Sequence, residues 1–369
     1  MNTAATAHTE GLSSFSHAAE LELRDVSKRY AGQQRPAIAD LSLTVPAGEV
    51  CVLVGPSGSG KTTAMRLVNR MIAVSGGDIL LGGQSVLRRD PRELRREIGY
   101  VIQQIGLFPH RTIDENIATV PRLLGWPKER IATRVSELFE LIGLDRGEMA
   151  GRFPAQLSGG QRQRVGVARA RAADPPLMLM DEPFGAIDPI NRAHLQDEFL
   201  RLQEQVKKTV VFVTHDVDEA IKMGDRIAIL REGGVLAQYD TPAEILRKPA
   251  DDFVAEFVGA DRGIKRLSLL TVGDLQLLAP DGAKPDDGVP LSTSVRDALS
   301  LLLSARADSL AVLDEDGSVR GQITLELLHR TLADDNGTEA HGAGAHGEAM
   351  ASGDRPASAH AQPQAGSGA

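Results

Sequence analysis

The sequence predicts an α/β fold built around a parallel sheet, and three observations support this. The continuous apolar run at residues 50–54 (VCVLV) ends in Gly55, which is typical of a parallel strand buried on both faces. Two similar runs follow at residues 177–180 (LMLM) and 210–213 (VVFV). Amphipathic helical patterns such as residues 131–142 lie between these runs, and strands that alternate with helices characterise α/β sheets.

Further strands and two low-complexity ends complete the pattern. Residues 41–45 (LSLTV) alternate apolar and polar side chains, as in a strand with one buried face, and residues 227–230 (IAIL) form another buried-strand candidate. Residues 1–19 are rich in Ala, Thr, Ser and His, and residues 335–369 in Gly, Ala, His and Ser. Both ends have almost nothing to bury, so we predict that they are disordered.

Composition excludes several classes of protein. Hydrophobic residues make up 42% of the 369 residues and charged residues 25%, which excludes a collagen-like or wholly disordered chain. A net charge of −9 argues against a nucleic-acid partner, and the single Cys51 indicates a reducing, cytoplasmic setting. The apolar runs are far shorter than the roughly 20 residues of a spanning helix, and residues 1–20 lack a secretory signal pattern. Any work at a membrane is therefore expected to be that of a peripheral subunit.

A phosphate-binding loop follows the first buried strand. Residues 55–62 (GPSGSGKT) match the pattern G-x-x-x-x-G-K-[ST], and residues 63–68 can begin a helix whose N-terminus favours anions. Lys61 is expected to reach the β- and γ-phosphates, and the Thr62 hydroxyl to ligate Mg²⁺. The loop residues predicted to bind the nucleotide are Gly55, Pro56, Ser57, Gly58, Ser59, Gly60, Lys61, Thr62 and Thr63.

Two carboxylates follow the second apolar run. Residues 177–180 lead directly into Asp181 and Glu182, so a buried strand delivers both acids at its C-terminal edge. In a fold with a phosphate-binding loop, the phosphates lie at that edge. Asp181 is therefore predicted to hold Mg²⁺, directly or through water, and Glu182 to polarise the attacking water.

A second glycine-rich phosphate-binding end precedes a long helical run at residues 162–173. Residues 157–161 read LSGGQ, in which two glycines free the backbone just before a helix N-terminus. This end can contact a nucleotide held by the loop at residues 55–62 only if the end and the loop belong to two different copies of the chain. The residues predicted to contact that nucleotide are Ser158, Gly159, Gly160 and Gln161.

These motifs together resemble the ATP-binding cassette (ABC) ATPases from about residue 21 to residue 259, and residues 157–161 match the family's signature letter for letter. The resemblance implies a P-loop NTPase domain with a helical subdomain at residues 20–260. It also implies ATP and Mg²⁺ as cofactors and a head-to-tail homodimer that buries two ATP molecules. Hydrolysis would then loosen the dimer, as loss of a γ-phosphate releases other switches.

The resemblance assigns roles to further residues. Tyr30 lies where the family stacks an aromatic ring on adenine, and Asp188, in a D-loop-like sequence at residues 186–188 (AID), would cross the dimer interface. Gln103 falls at the Q-loop glutamine, which contacts Mg²⁺ and water, although the adjacent Gln104 carries the same amide. His215 matches the switch histidine that contacts the γ-phosphate. The implied catalytic residues are Glu182, His215 and Gln103, and the implied Mg²⁺ ligands are Thr62, Gln103 and Asp181.

Two segments resemble the ATP-binding subunits of bacterial quaternary-amine, or osmoprotectant, importers. They are residues 98–126 and residues 184–191 (FGAIDPIN). The resemblance implies uptake of glycine betaine, choline, carnitine or proline. It also implies integral-membrane permease subunits and an extracytoplasmic substrate-binding protein as partners. The chain would lie peripherally on the cytoplasmic face of the plasma membrane.

A small α/β module is predicted at residues 261–334. Residues 294–299, 308–314 and 321–324 follow a helix–strand–turn–strand order that resembles a CBS motif, which in these importers can gate transport in response to ionic strength or a nucleotide. One copy is evident where the family often has two, so two copies would pair across the dimer. A packing or dimerisation module without a sensing role is the alternative.

Other functions stay open at this stage. One is import of a different solute such as methionine, a polyamine or a sugar, although those subunits carry a different C-terminal module or none. Another is a non-transport ABC ATPase of DNA repair or translation. The long coiled-coil insertion of the repair type and the two fused cassettes of the translation type are both absent from this sequence.

Overall fold

The computed structural model describes residues 18–102, 106–185, 187–280, 288–314 and 316–334. Residues 1–17 and 335–369, which hold most of the two ends predicted to be disordered, lie outside the described residues, as do Gln103 and Gln104. Ala19, which the prediction placed in the disordered N-terminal end, is instead buried, and its carbonyl accepts a hydrogen bond from the Thr209 hydroxyl at 2.7 Å.

The described residues form three sheets and their covering helices. The strands are β1 (Leu21–Lys28), β2 (Ile38–Val45), β3 (Val50–Val54), β4 (Gly76–Leu81), β5 (Gln84–Ser85), β6 (Ile98–Val101), β7 (Leu177–Asp181), β8 (Thr209–Val213), β9 (Arg226–Arg231), β10 (Val235–Asp240), β11 (Val289–Pro290), β12 (Ser309–Leu313) and β13 (Val319–Thr324). The helices are α1 (Lys61–Val68), α2 (Pro91–Glu97), α3 (Ile113–Ile117), α4 (Thr119–Leu123), α5 (Lys128–Leu141), α6 (Arg146–Met149), α7 (Gly159–Arg171), α8 (Pro189–Val206), α9 (Val217–Met223), α10 (Pro242–Arg247), α11 (Asp252–Val258), α12 (Arg262–Leu267), α13 (Val295–Ala305) and α14 (Leu325–Asp334).

The predicted parallel sheet is confirmed. Its strand order is β10-β9-β3-β8-β7-β6, with β3 in parallel pairing to both β8 and β9 and β10 antiparallel at one edge. Strand β3 is apolar throughout because both of its faces are covered. Cys51 and Leu53 enter one core cluster, whereas Val50, Val52 and Val54 enter the other. Burial raises the pKa of the Cys51 thiol to about 12, so this cysteine behaves as a small hydrophobe.

A second, antiparallel sheet covers one face of the parallel sheet. Its order is β2-β1-β4-β5, and its inward side chains share a core cluster with helix α1 and with one face of β3, β7 and β8. The alternating pattern that predicted β2 is confirmed by its alternating burial. Strands β4 and β5 were not predicted, because glycines begin β4 and β5 has only two residues.

Helices complete the cassette. Helices α3 to α7 enclose their own apolar cluster and form a separate helical layer, while α8 to α11 pack on the second face of the parallel sheet. The stretch from residue 90 to residue 171 is mostly helical and also contributes β6 as the edge strand beside β7. No helix in the described part of the chain is long and apolar enough to cross a membrane.

The C-terminal residues form a small unit with its own core. Helix α13 and strands β12 and β13 follow in the predicted helix–strand–turn–strand order, and β11 and α14 are added to them. Val295, Leu302, Val312 and Ile323 are buried in its apolar cluster, which also includes Leu267 from α12.

Candidate nucleotide site

The carboxyl ends of three neighbouring strands meet at one edge of the parallel sheet. Strand β3 leads into the loop at residues 55–60, β7 into Glu182, and β8 into His215. The register places Val213 of β8 beside both Leu53 of β3 and Asp181 of β7. Ligands of open α/β sheets bind outside such carboxyl ends, so the topology brings the predicted groups to one place.

Two glycines allow the loop at residues 55–60 to lie against the sheets. A Cβ atom on Gly55 would lie 2.2 Å from the Leu230 carbonyl oxygen, and one on Gly60 would lie 2.4 Å from that of Ala37. Gly60 also has a φ of +85°, which favours glycine. The rear of the loop therefore packs on β9 and β2, while residues 56–58 at its front are exposed.

The Lys61 ammonium lies across its own loop. Its Nζ donates hydrogen bonds to the carbonyl oxygens of Gly55 (2.7 Å) and Pro56 (3.0 Å), and lies 3.3 Å from Ser59 Oγ. Burial lowers the pKa of Lys61, and the charges of Glu182 and Asp181 partly oppose that shift. An anion placed in the loop would give this partly desolvated cation a full counter-charge in place of neutral oxygens.

Two oxygen ligands suited to Mg²⁺ lie together at the loop. The Thr62 hydroxyl donates to Asp181 Oδ1 at 3.1 Å. Burial raises the pKa of Asp181, an effect that the Thr62 hydrogen bond opposes, so a cation would relieve a desolvated carboxylate. No cluster of three or more His, Cys, Asp or Glu side chains among the described residues could hold a metal alone. The pair therefore fits a Mg²⁺ ion that takes its other ligands from phosphates and water.

Glu182 and His215 face each other beside this pair. Glu182 Oε1 lies 3.3 Å from His215 Nδ1, and the histidine side chain is 66% exposed. Glu182 adopts a φ of 45°, an unfavourable conformation for a non-glycine residue, and its N–H is held by the Val213 carbonyl at 2.9 Å. Strain of this kind is concentrated at functional sites.

The second phosphate-binding end begins helix α7. Ser158 caps the helix by accepting from the Gln161 N–H (3.2 Å), and the Gln161 side chain accepts from the Ser158 N–H (2.9 Å). Gly159 and Gly160 supply the first two helical N–H groups. This end lines a cleft of about 350 Å³ together with Asp188, and none of the described residues at 55–62 lines the same cleft.

The remaining predicted residues are placed as follows. Tyr30 is half-buried two residues beyond β1, with Lys28 Nζ 5.1 Å from its ring centre. The Lys28 carbonyl pairs with the Ala37 N–H, next to the Gly60 turn. Asp188 is exposed immediately before helix α8. Gln103, like the alternative Gln104, lies outside the described residues.

Sequence reasoning missed a buried polar cluster behind His215. Thr214, Gln196 and Glu219 are 2%, 6% and 7% exposed. In the sequence, Glu219 looks like an acidic residue in the first turn of a helix, where negative charge is favourable and normally solvated. Only the packing of α8 on α9 shows that it is buried.

Comparison with known proteins places these observations in a family. The ABC transporter family model matches residues 38–185. The chain is 48% identical over 305 residues to the osmoprotectant import ATP-binding protein OsmV of Salmonella typhimurium, covering 82% of this chain and 78% of that protein. It is also 48% identical over 309 residues to the glycine betaine/carnitine/choline transport ATP-binding protein OpuCA of Bacillus subtilis, covering 84% and 79%.

A solved structure of an ATP-binding cassette is also similar to this chain. The chain is similar to the dimeric, post-hydrolysis state of the ATP-binding cassette MJ0796 bound to ADP and Pi. That match has 32% identity and a TM-score of 0.53 over 60% of this chain and 98% of the other.

Proposed function

The chain belongs to the ATP-binding subunits of ABC transporters, and we propose that it hydrolyses ATP to drive import of osmoprotectants such as glycine betaine, choline, carnitine and proline. One observation carries the proposal: the chain is 48% identical, over more than four fifths of its length, to a protein named for osmoprotectant import. The site supports it, because the phosphate-binding loop, Asp181, Glu182 and His215 lie at one sheet edge.

The phosphate-binding loop and the residues around it have separate roles in the proposed hydrolysis of ATP. Backbone N–H groups of the loop and the Lys61 ammonium bind the β- and γ-phosphates of ATP. Thr62 and Asp181 would hold Mg²⁺, with Gln103 as a further ligand implied by the family resemblance, and the ion would supply positive charge beside the phosphates. Glu182 orients the attacking water and accepts its proton, and His215, 3.3 Å from Glu182, contacts the γ-phosphate. Tyr30 stacks on the adenine ring.

Each nucleotide is bound between two chains in this proposal. The loop at residues 55–62 of one chain holds the phosphates, and residues 158–161 of its partner close over the γ-phosphate. The first-turn N–H groups of Gly159 and Gly160 suit this role, because a helix N-terminus attracts anions. Asp188 lines the same cleft as Gly159 and would meet the partner chain.

The proposed partners are those of an importer. Closure of the dimer would act on integral-membrane permease subunits, and an extracytoplasmic binding protein would deliver the solute. The chain would then lie on the cytoplasmic face of the plasma membrane.

We divide the chain into an ABC ATPase domain at 20–260 and a CBS-like regulatory module at 261–334, flanked by residues 1–19 and 335–369. The separate apolar cluster that begins with Leu267 supports a boundary close to residue 261. One ion pair joins the two units, because Lys265 Nζ lies 3.2 Å from Asp218 Oδ1 on α9, the helix that follows His215.

Uptake measurements test the proposed cargo. Cells that carry this chain and no other osmoprotectant importer are expected to lose accumulation of labelled glycine betaine, choline, carnitine or proline when the chain carries Glu182→Gln, because the subunit no longer turns over. The exposed Glu204→Gln on α8 is a matched control that keeps uptake. Unchanged uptake of all four solutes would contradict the osmoprotectant proposal. It would leave an importer of methionine, a polyamine or a sugar, or a non-transport ABC ATPase.

The Lys265–Asp218 pair tests the regulatory module. Lys265→Ala also removes the contacts of the ammonium with Asp261 Oδ1 (3.2 Å) and the Val258 carbonyl (2.9 Å). It is expected to change the ratio of ATPase rates at high and low salt by about two- to fivefold, because a partly exposed ion pair contributes up to about 1 kcal/mol and salt screens it. The assay compares rates of the full chain across KCl concentrations. Lys222→Ala removes a pair with Asp197 (2.7 Å) within the cassette and is the matched control. A Lys265→Ala profile that matches the parent's would contradict a regulatory link through this contact.

A further inference from the structure

A buried carboxylate with no part in the proposed chemistry lies behind the turn that carries His215. Glu219 Oε1 accepts a hydrogen bond from Gln196 Nε2 at 2.9 Å, and the Thr214 hydroxyl is a second polar partner of the same carboxylate. The Thr214 hydroxyl oxygen in turn accepts from the Asp216 N–H at 3.0 Å. The residues on both sides of His215 are therefore joined to one buried side chain.

This network is attached to the rest of the site at both ends. The Thr214 N–H donates to the carbonyl of Leu53, next to the phosphate-binding loop, at 3.2 Å. At the other end, Gln196 lies on helix α8, in whose first turn the Arg192 N–H donates to the Asp188 carbonyl at 2.9 Å. Glu219 thus connects the His215 turn to the helix that begins at Asp188.

Burial of these polar side chains carries a desolvation cost that their mutual hydrogen bonds must offset. Burial raises the pKa of Glu219 and the charge of Asp216 adds to the rise, whereas Thr214, Gln196 and Arg192 oppose it. A buried polar group that loses its partner incurs the full cost of its desolvation, so the network tolerates few alternative arrangements. It holds the His215 turn in one position, which an apolar contact of the same size would not do.

We propose that Glu219 is a positioning residue for ATP hydrolysis: by holding Thr214 on one side and Gln196 on the other, it fixes His215 relative to the helix that begins at Asp188. The inference rests on the proposed role of His215 at the γ-phosphate. Glu219 touches neither the phosphate-binding loop nor Glu182 in the contacts of the described residues. Its effect therefore passes through the turn.

Steady-state ATPase kinetics of the full-length chain test this role. Glu219→Ala is expected to lower kcat by about 10- to 100-fold, the size of effect that small displacements of catalytic groups produce. The KM for ATP should stay within about twofold, because the loop that binds the phosphates is unchanged. Glu219→Gln should recover most of kcat, since its amide still accepts from Thr214 and can pair with a rotated Gln196 amide. Glu204→Ala, an exposed glutamate on α8, is the control.

A second variant separates positioning from folding. Thr214→Val removes the same hydroxyl with little change of shape, so it should lower kcat in the same direction. The double variant with Glu219→Ala should be hardly worse than Glu219→Ala alone, because both changes break one network. Thermal melting of each variant gives the folded fraction by which kcat is corrected.

Three results would overturn the inference. They are an unchanged kcat in Glu219→Ala, a loss that disappears once corrected for folded protein, and a Glu219→Gln variant as slow as Glu219→Ala. A parent chain that hydrolyses no ATP would contradict the proposed function and the inference with it. An active parent beside an unaffected Glu219→Ala variant would contradict the inference alone.

Discussion

Glu182→Gln is expected to lower kcat for ATP hydrolysis by at least about 100-fold while leaving ATP binding intact. The substitution keeps the size of the side chain and removes only the charge that accepts the proton of the attacking water. The 3.3 Å approach to His215 can persist, because an amide still offers an oxygen to Nδ1. The phosphate-binding loop, where Lys61 lies, is untouched.

The same substitution should trap the closed dimer. ATP must bind the closed form more tightly than the open form if it is to drive any movement, and hydrolysis is what ends that preference. A chain that binds ATP and cannot cleave it should therefore accumulate as an ATP-dependent dimer, measurable by light scattering after size-exclusion chromatography. The parent chain should form this dimer only transiently.

Two results would count against the assignment of Glu182. A variant that hydrolyses ATP at the parent rate would show that another group activates the water. A variant that no longer binds ATP would place Glu182 in binding instead of hydrolysis. Glu204→Gln controls for loss of a glutamate charge elsewhere in the cassette, since Glu204 is exposed on α8.

The parallel sheet, and the site residues at the carboxyl ends of its strands, could be predicted from the sequence because each depends on a short local pattern. The run VCVLV is apolar at every position because both faces of β3 are covered, and the same holds for residues 210–213 of β8. Once parallel strands are recognised, their carboxyl ends must lie together, which brings Gly55, Asp181 and His215 to one edge without any knowledge of distances.

The antiparallel sheet and the network around Glu219 could not be predicted in this way. Strand β4 opens with Gly76 and Gly77, and it is a strand because it pairs with β1 across some fifty residues of chain. Gln196 and Glu219 are 23 residues apart and meet only because α8 and α9 pack together. Neither residue type signals burial by itself, since glutamine and glutamate are mostly exposed.

The positive φ of Glu182 is a third feature that the sequence does not reveal. A left-handed conformation is expected of glycine or asparagine, and nothing about a glutamate after a buried strand announces it. Two hydrogen bonds hold this conformation. The Glu182 N–H donates to the Val213 carbonyl, and the Gly185 N–H donates to the Glu182 carbonyl in a turn. Tertiary contacts therefore decide the conformation of the residue with the largest proposed effect on hydrolysis.

Mixing two inactive variants should restore ATP hydrolysis if each site is shared between chains. Lys61→Ala removes the cation that lies 2.7 Å from the Gly55 carbonyl, so the loop loses its hold on the phosphates. Gly159→Asp has room within its own chain, where an added Cβ would meet only the Arg162 guanidinium at 4.0 Å. An acid in the first helical turn also suits the helix dipole, so the variant should fold normally. The new carboxylate would instead repel the phosphates held by the partner chain.

Each variant alone is expected to lose ATPase activity by at least about 100-fold, because every site of its homodimer carries the lesion. In a mixed head-to-tail dimer, both lesions fall in one site and the other site is intact. An equal mixture should therefore recover about one quarter of the parent rate if the two sites act independently, since half of the dimers are mixed. Mixing Lys61→Ala with the parent chain calibrates how well one intact site turns over.

The mixture distinguishes the two ways in which the chain could be built. If residues 158–161 closed over the nucleotide of their own chain, each mixed dimer would still contain one lesion in each site, and the rate would stay at the level of the separate variants. The cleft beside Gly159 is lined by Asp188 and by none of the described residues at 55–62, which favours the shared arrangement. Recovery of activity would establish that a single chain holds two half-sites. Dimerisation would then be part of catalysis itself.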